Sequence, residues 1–401
     1  MRSLFFDVSI PRILVTKALA PIFPAVYFSP LSPVRFSELP DPPLPGPDWV
    51  RVEPVLTGIC GADLSMFFVK ASPSITIAAL PGVPRAFMGH EVVGHVVETG
   101  TAVPDLTTGD RVVLQRYLPC CSMKGILPPC RPCKEGQYPL CENFSEGALP
   151  SNLGAGFGNH FTAHRSQLVK VPDLVSDDQA VLVEPAAVSL HAVLRSPPKP
   201  GDRVLVIGAG VIGLNVIQFA RMVAPRCGID VMEPIGFKKD LARKRGADRI
   251  VTGDPYRGVA EATGAKLYVG PMKNRTLLGG YDLVYDCVGS SQTLHDALRW
   301  IRARGHYVMV GNQLSPVRFD QTPIWQQEVT LSGVNSHGME DFQGKKISTF
   351  DLILEMIGDG RVDLSGFITH RFPLSKFRDA FRLIQARKEP VIKVVFDQFD
   401  A

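Results

Sequence analysis

The chain has 401 residues, a formal net charge of +4, 45% hydrophobic and 20% charged residues, enough length for two domains and enough apolar content to bury a real core. So small a positive balance, with no block of Lys or Arg, excludes nucleic acid as an expected partner. No uninterrupted apolar stretch is long enough to span a bilayer, so no membrane partner is expected either.

The N-terminal run MRSLFFDVSIPRILVTKALA is broken by Asp7, Pro11, Arg12 and Lys17. It is a poor secretory leader, and the expected location is the cytoplasm. The first third is rich in Pro and Gly and carries short apolar runs, WVRVEPVLTG, EVVGHVVETG and DRVVLQ. Such segments between turn residues read as an antiparallel, β-rich domain. From Arg203 the texture changes: RVLVIGAG is a strand, VIGLNVIQFARMVA a helix, GIDVME a strand and GFKKDLARKRGA a helix. YDLVYDCVG and HYVMVGN continue as strands around a helical DALRWIRAR, so the pattern is βαβ and the fold class α/β with a parallel sheet. Beyond about residue 340 come mixed helices and a last strand, VIKVVF. The stretch from Asp254 to Gly280 is long for a connection inside such a sheet. It is expected to be a surface insertion rather than a substrate or partner loop, since length alone specifies no chemistry.

Gly208, Ala209, Gly210, Val211, Ile212 and Gly213 follow a strand and open a helix. The first glycine permits the tight turn, the second lets the backbone approach a pyrophosphate, and the third allows close helix–sheet packing. The helix start adds free N–H groups for phosphate. Glu233 ends the next strand about 20 residues on, where a carboxylate accepts hydrogen bonds from a ribose diol and repels a 2′-phosphate. Lys238 and Lys239 stand close by, and the reading is NAD over NADP.

Five of eight cysteines lie between Cys120 and Cys141. In a chain of this size without a leader, such a cluster points to metal more than to disulfides. Cys130, Cys133 and Cys141 supply three thiolates for a closed zinc site, and Cys120 or Cys121 supplies the fourth. The βαβ context of a thioredoxin-like redox pair is missing around Cys130 and Cys133. Separately, Cys60 in TGICGADLS and His90 in FMGHEVVGHVV offer a thiolate and an imidazole, with Glu91 and Glu184 as rival carboxylates for a third zinc ligand. A lone buried Cys or His is most often a packed core residue; the combination carries the reading. His95, His160 and His164 are given structural roles, with a cleft-lining alternative for the last two, and Cys287 is assigned as a free packed thiol.

GICGAD, GHEVVGHVVETG, the cysteine lobe, VEPAAVSLHAV, VIGAGVIG and THRFPLSKFRDAF, in this order, resemble the zinc-dependent medium-chain dehydrogenases over nearly the whole chain from about Pro43. The resemblance implies a GroES-like catalytic domain with its zinc lobe (1–194, lobe about 120–141), a doubly wound Rossmann NAD-binding domain (195–339) and a C-terminal segment (340–401) completing the catalytic domain. It implies catalytic zinc on Cys60, His90 and a carboxylate. Either Glu91 ligates directly while Glu184 acts through water, or the two exchange with catalytic state. Asp63 stands where a carboxylate orients the zinc-bound histidine. Relatives are homodimers or homotetramers acting on small molecules. Two positions depart from the family pattern: Leu127 stands where the lobe's first cysteine is usual, and Ala62 where a Ser or Thr usually starts the proton relay.

The expected activity is hydride transfer between NAD(H) and a small alcohol, polyol or sugar, or the corresponding carbonyl. Without a hydroxyl at Ala62 the proton leaves through zinc-bound water, Glu184 or Ser65. Two alternatives follow from the same residues: an NAD(P)H-dependent reductase of an iminium or activated alkene, which needs no such hydroxyl, and a non-catalytic NAD-binding protein.

Overall fold

The computed structural model describes residues 1–76, 80, 85–115, 119–147, 150 and 152–399. The chain divides into two compact units, one of residues 1–184 and 341–401, the other of residues 185–340.

The first unit is built on an all but antiparallel sheet in the order Ile368–Pro373, Lys393–Gln398, Trp49–Gly58, Glu91–Thr99, Arg111–Leu114 and Leu168–Lys170, with Phe161–His164 also pairing with Trp49–Gly58. Strand Trp49–Gly58 is its centre: its alternating side chains put Val50 and Val52 into a fully buried cluster with Val92, Val96, Val112 and Phe161. Beyond the far end of that strand, Phe67 stacks on Phe381 with ring centroids 3.9 Å apart. That contact seats the helix Phe377–Ala386 against the helix Gly61–Phe67. Among the described strands of this sheet only Ile368–Pro373 and Lys393–Gln398 pair parallel, a consequence of the helix that links them.

The N-terminal run folds into the strand Arg2–Asp7 and the helix Ile10–Leu19. The strand is the middle one of three, between Val34–Glu38 and Arg85–Phe87.

The second unit carries a six-stranded, wholly parallel sheet in the order Arg249–Val251, Gly228–Met232, Arg203–Ile207, Tyr281–Asp286, Ile301–Met309, Thr330–Gly333. The order reverses at Arg203–Ile207, as in a doubly wound dinucleotide fold.

Two local expectations change. The helix over DALRWIRAR stops at Trp300, and Ile301 begins a strand. Ile301 is fully buried opposite Tyr281 in the parallel ladder, so sheet pairing overrides the helical spacing. The Asp254–Gly280 stretch is only partly an insertion. Its helix Pro255–Thr263 buries Tyr256 and Val259 in the sheet's core, which makes it the ordinary crossover, while Lys266–Val269 and Arg275–Leu278 form a separate antiparallel hairpin.

Candidate metal and nucleotide sites

Cys60 is the last residue before the helix Gly61–Phe67, and His90 immediately precedes the strand Glu91–Thr99, which Glu91 opens. The pairing of Gly58 with Glu91 brings these two chain segments together. Ligand atoms of Cys60, His90 and Glu91 all lie within 4.8 Å of one another, and His90 and Glu91 are buried.

Asp63 fixes the geometry from behind. One of its oxygens accepts the Cys60 N–H at 2.9 Å and the other accepts the Gly89 N–H at 3.2 Å. The second oxygen also lies 4.0 Å from His90 Nδ1, a charge contact longer than a hydrogen bond. One buried carboxylate thereby ties together the backbone beside both proposed ligands. Glu184 lies outside the close trio, yet the charges of His90, Glu91, Lys393 and Asp63 all act on its carboxyl, and burial pushes it up to about 7.

The sequence reading missed Lys393. It sits in PVIKVVF, a run otherwise apolar, and a lysine at a buried position of such a strand was the available signal. Its Nζ donates to Glu91 Oε2 at 2.5 Å and to the Ile59 carbonyl at 3.1 Å, and both partners of the ion pair are almost completely buried. Burial opposes the lysine's charge, but Glu91 and Cys60 outweigh it and hold the pKa above its ordinary value.

The donor set suits a cation. Cys60, Asp63, Glu91 and Glu184 are four acids gathered around one histidine and one lysine. Burial raises the pKa values of Cys60, Asp63 and Glu184, with His90 pulling each down again. A thiolate, an imidazole and a carboxylate converging in a buried place match the ligands zinc takes with an open position.

The cysteine lobe forms a second cluster. Sulfurs of Cys121, Cys130, Cys133 and Cys141 lie within 4.8 Å of one another, Cys121 and Cys141 at 3.8 Å. Cys120 is fully buried beside this cluster but is not one of the four converging sulfurs. Leu127 is 86% exposed, so its position contributes nothing to the cluster, and Cys121 supplies the fourth thiol from upstream. At Cys130 burial raises the pKa, but hydrogen bonds from the backbone of Cys133 and Glu142 prevail and bring it to about 7. Four sulfurs so close, two of them in a Cys-x2-Cys pair, match the donor set that a closed, tetrahedral zinc site takes.

In the second unit Gly208 has φ +87°, and a Cβ at Gly213 would fall 1.8 Å from the Gly208 carbonyl oxygen. Gly210 precedes the helix Val211–Val223 and has open space where a Cβ would stand, room for a phosphate to reach the backbone. Val211 and Ile212 form the first turn of that helix. Glu233 is buried, and its two oxygens accept the N–H groups of Ala209 at 2.8 Å and Ile235 at 2.9 Å. It therefore braces the glycine loop from the next strand's end. Lys238 lies on the helix Gly236–Lys244, with its ammonium 5.9 Å from the Phe237 ring centre.

His95 pairs with the Gly109 carbonyl, His164 with Ser166, and His160 lies 3.6 Å from Asp41. Cys287 is free, and burial raises its thiol well above its ordinary pKa. Among the described residues no helix is long and apolar enough to cross a membrane.

Residues 46–173 match the family model of the alcohol dehydrogenase GroES-like domain, and residues 211–361 that of the zinc-binding dehydrogenase. The chain is 31% identical to L-idonate 5-dehydrogenase of Vitis vinifera over 88% of each chain. It is also 31% identical to sorbitol dehydrogenase of Arabidopsis thaliana, covering 88% of this chain and 90% of that one. Among solved structures it resembles 2R,3R-butanediol dehydrogenase of Bacillus subtilis, with a TM-score of 0.70, 25% identity, and coverage of 91% of this chain and 96% of that one. With its GroES-like and Rossmann domains, the chain belongs to the zinc-dependent medium-chain dehydrogenases, NAD(H)-linked oxidoreductases.

Proposed function

We propose that this protein oxidises a polyol or sugar-derived secondary alcohol, and reduces the matching ketone, in the cytoplasm as a homodimer or homotetramer. The observation that carries this reading is the convergence of Cys60, His90 and Glu91, the last two buried, with Glu184 in electrostatic reach. Relatives named for idonate, sorbitol and butanediol all take substrates with neighbouring hydroxyls.

In this reading residues 1–194 and 340–401 form the catalytic domain and 195–339 the nucleotide domain. Cys60, His90 and Glu91 hold zinc, with Glu184 as the carboxylate that can replace Glu91. Cys121, Cys130, Cys133 and Cys141 hold a second, structural zinc. Zinc held by the first set would supply Lewis acidity toward an alcohol oxygen, and NAD held by the second unit would supply the hydride-accepting chemistry. Asp63 keeps the segments bearing Cys60 and His90 in register. Lys393 neutralises Glu91 and restrains it. Gly208, Gly210, Val211, Ile212 and Gly213 bind the pyrophosphate, and Glu233 accepts from the ribose hydroxyls while Lys238 flanks them.

Ala62 can neither give nor take a proton. Glu184, a buried carboxyl within the electrostatic reach of His90 and Glu91, is the group assigned to hold the proton that the alcohol loses. The missing hydroxyl also favours a second reading, reduction of an iminium or activated alkene. A screen of NAD⁺ and NADH against polyols, sugars, simple alcohols, ketones and imines, with and without added zinc, separates them. Zinc-dependent turnover highest with vicinal diols supports the first reading. Turnover confined to imines or activated alkenes overturns it.

A further inference from the structure

Residues 1–45 precede the matched family model, and none of the proposed zinc or nucleotide ligands lies among them. The helix Ile10–Leu19 turns about 100° per residue. On that spacing Ile10, Leu14, Val15 and Leu19 share one half of its surface, and all four are exposed. Thr16 and Ala20, on the other half, are buried. The apolar face continues into the turn that follows, where Ile22 is 87% and Phe23 57% exposed.

Charge decides what such a face fits. Arg12 and Lys17 fall at the two margins of the apolar arc. Both donate to backbone carbonyls, of Pro30 and Ala71, and neither meets a carboxylate among the described residues. From Val8 to Ser37 the chain holds three cations and no acid. Just beyond, a cavity of about 170 Å³ is lined by Tyr27 and Phe68 together with Lys70 and Arg387, again with no carboxylate in its lining.

We propose that this face docks on an anionic phospholipid surface, with Ile22 and Phe23 entering the acyl boundary and Arg12, Lys17, Lys70 and Arg387 meeting headgroup phosphates. An amphipathic helix lying in the interface with cations at its polar margins is the arrangement such surfaces bind. A second copy fits less well, because a two-fold contact sets the acid-free segment Val8–Ser37 against itself and brings Arg12 and Lys17 against like charges. The docking is peripheral and stands apart from the dehydrogenase reading, since none of these side chains belongs to either metal cluster.

The test is flotation of the full-length, zinc-loaded protein with vesicles of phosphatidylcholine alone or mixed with equal phosphatidylserine. Binding is expected to the mixed vesicles, falling with added salt and at least about tenfold weaker without phosphatidylserine. Arg12→Gln and Lys17→Gln each lower it about fivefold, and Leu14→Ser with Phe23→Ser abolishes it. Leu14 and Phe23 are exposed, Arg12 and Lys17 are only partly buried, and none of the four touches either metal cluster, so dehydrogenase activity stays unchanged and shows that the variants fold. Equal binding to both vesicles, no binding, or binding indifferent to these substitutions overturns the proposal. So does a concentration-dependent dimer that Phe23→Ser dissolves, which assigns the face to a second copy.

Discussion

Lys393 and Glu91 are 302 positions apart in the chain, yet Nζ and Oε2 meet at 2.5 Å in a place closed to water. They reach each other across the strand Trp49–Gly58, because Gly58 lies between them without a side chain. A Cβ there would stand 2.2 Å from Glu91 Oε2 and 3.3 Å from Lys393 Cδ. The pair links the last strand of the chain to a proposed metal ligand and so couples C-terminal folding to the site.

Lys393→Met is expected to destabilise the protein by about 3–5 kcal/mol, because it strands a buried carboxylate. Glu91→Gln should cost a similar amount by stranding the lysine. The double variant should lose clearly less than the sum, since neither charge is then left alone. Denaturant unfolding of the four proteins measures this cycle. Additive losses would mean that the two side chains do not depend on each other.

Gly58→Ala addresses the same contact through packing. The new methyl has no room unless Glu91 moves, at a cost of about 1–3 kcal/mol. Zinc retained after dialysis against a chelator should fall in parallel, because the displaced carboxylate is a proposed ligand. Metal analysis beside the denaturation curve checks both. Full retention would show that Glu91 is dispensable for holding the ion.

Cys121 and Cys120 are neighbours, but only the Cys121 sulfur lies within 4.8 Å of those of Cys130, Cys133 and Cys141. Cys121→Ser should therefore lower the zinc content from about two to about one per chain, while Cys120→Ser leaves it unchanged. Equal effects, or the reverse order, would move the fourth ligand to Cys120.

The glycine loop, the cysteine spacing and the Cys60 and His90 motifs were legible because their chemistry depends on residues close together in sequence. Period-two and period-three-to-four patterns likewise gave the strand-rich first part and the alternating second part. Lys393 was visible only as a lysine in an apolar run, since its partner is set by a strand pairing that no local pattern specifies. The end of the helix at Trp300 was lost for the same reason: Ile301 obeys the ladder opposite Tyr281, not its neighbours. The choice between Cys120 and Cys121 also turns on which thiol the loop points inward.

Glu233 has two duties in the nucleotide unit, bracing Ala209 and Ile235 and reading the ribose. Glu233→Ala should weaken NAD preference over NADP and also leave two backbone N–H groups without their acceptor, at about 1–3 kcal/mol each where water cannot reach them. Cofactor-free denaturation separates the second effect from the first. An unchanged NAD:NADP ratio of kcat/KM, with lowered stability, would confine Glu233 to the bracing role.

His306 predicts how the nucleotide unit responds to acid. Its imidazole is half-buried in the parallel sheet with Nε2 2.8 Å from Ser332 Oγ, and burial lowers its pKa below the ordinary value. As pH falls, the unfolded chain takes up this proton first, near pH ~6.5. Stability due to His306 is therefore fully present above that pH and declines as pH drops toward the lower folded pKa, because the unfolded state binds more protons there. His306→Gln keeps a hydrogen-bonding side chain beside Ser332 but removes the titration. Its thermal unfolding midpoint should fall less steeply between about pH 6.5 and pH 5 than that of the parent. Parallel pH profiles for the two proteins would mean that the imidazole is as easily protonated in the fold as in the unfolded chain.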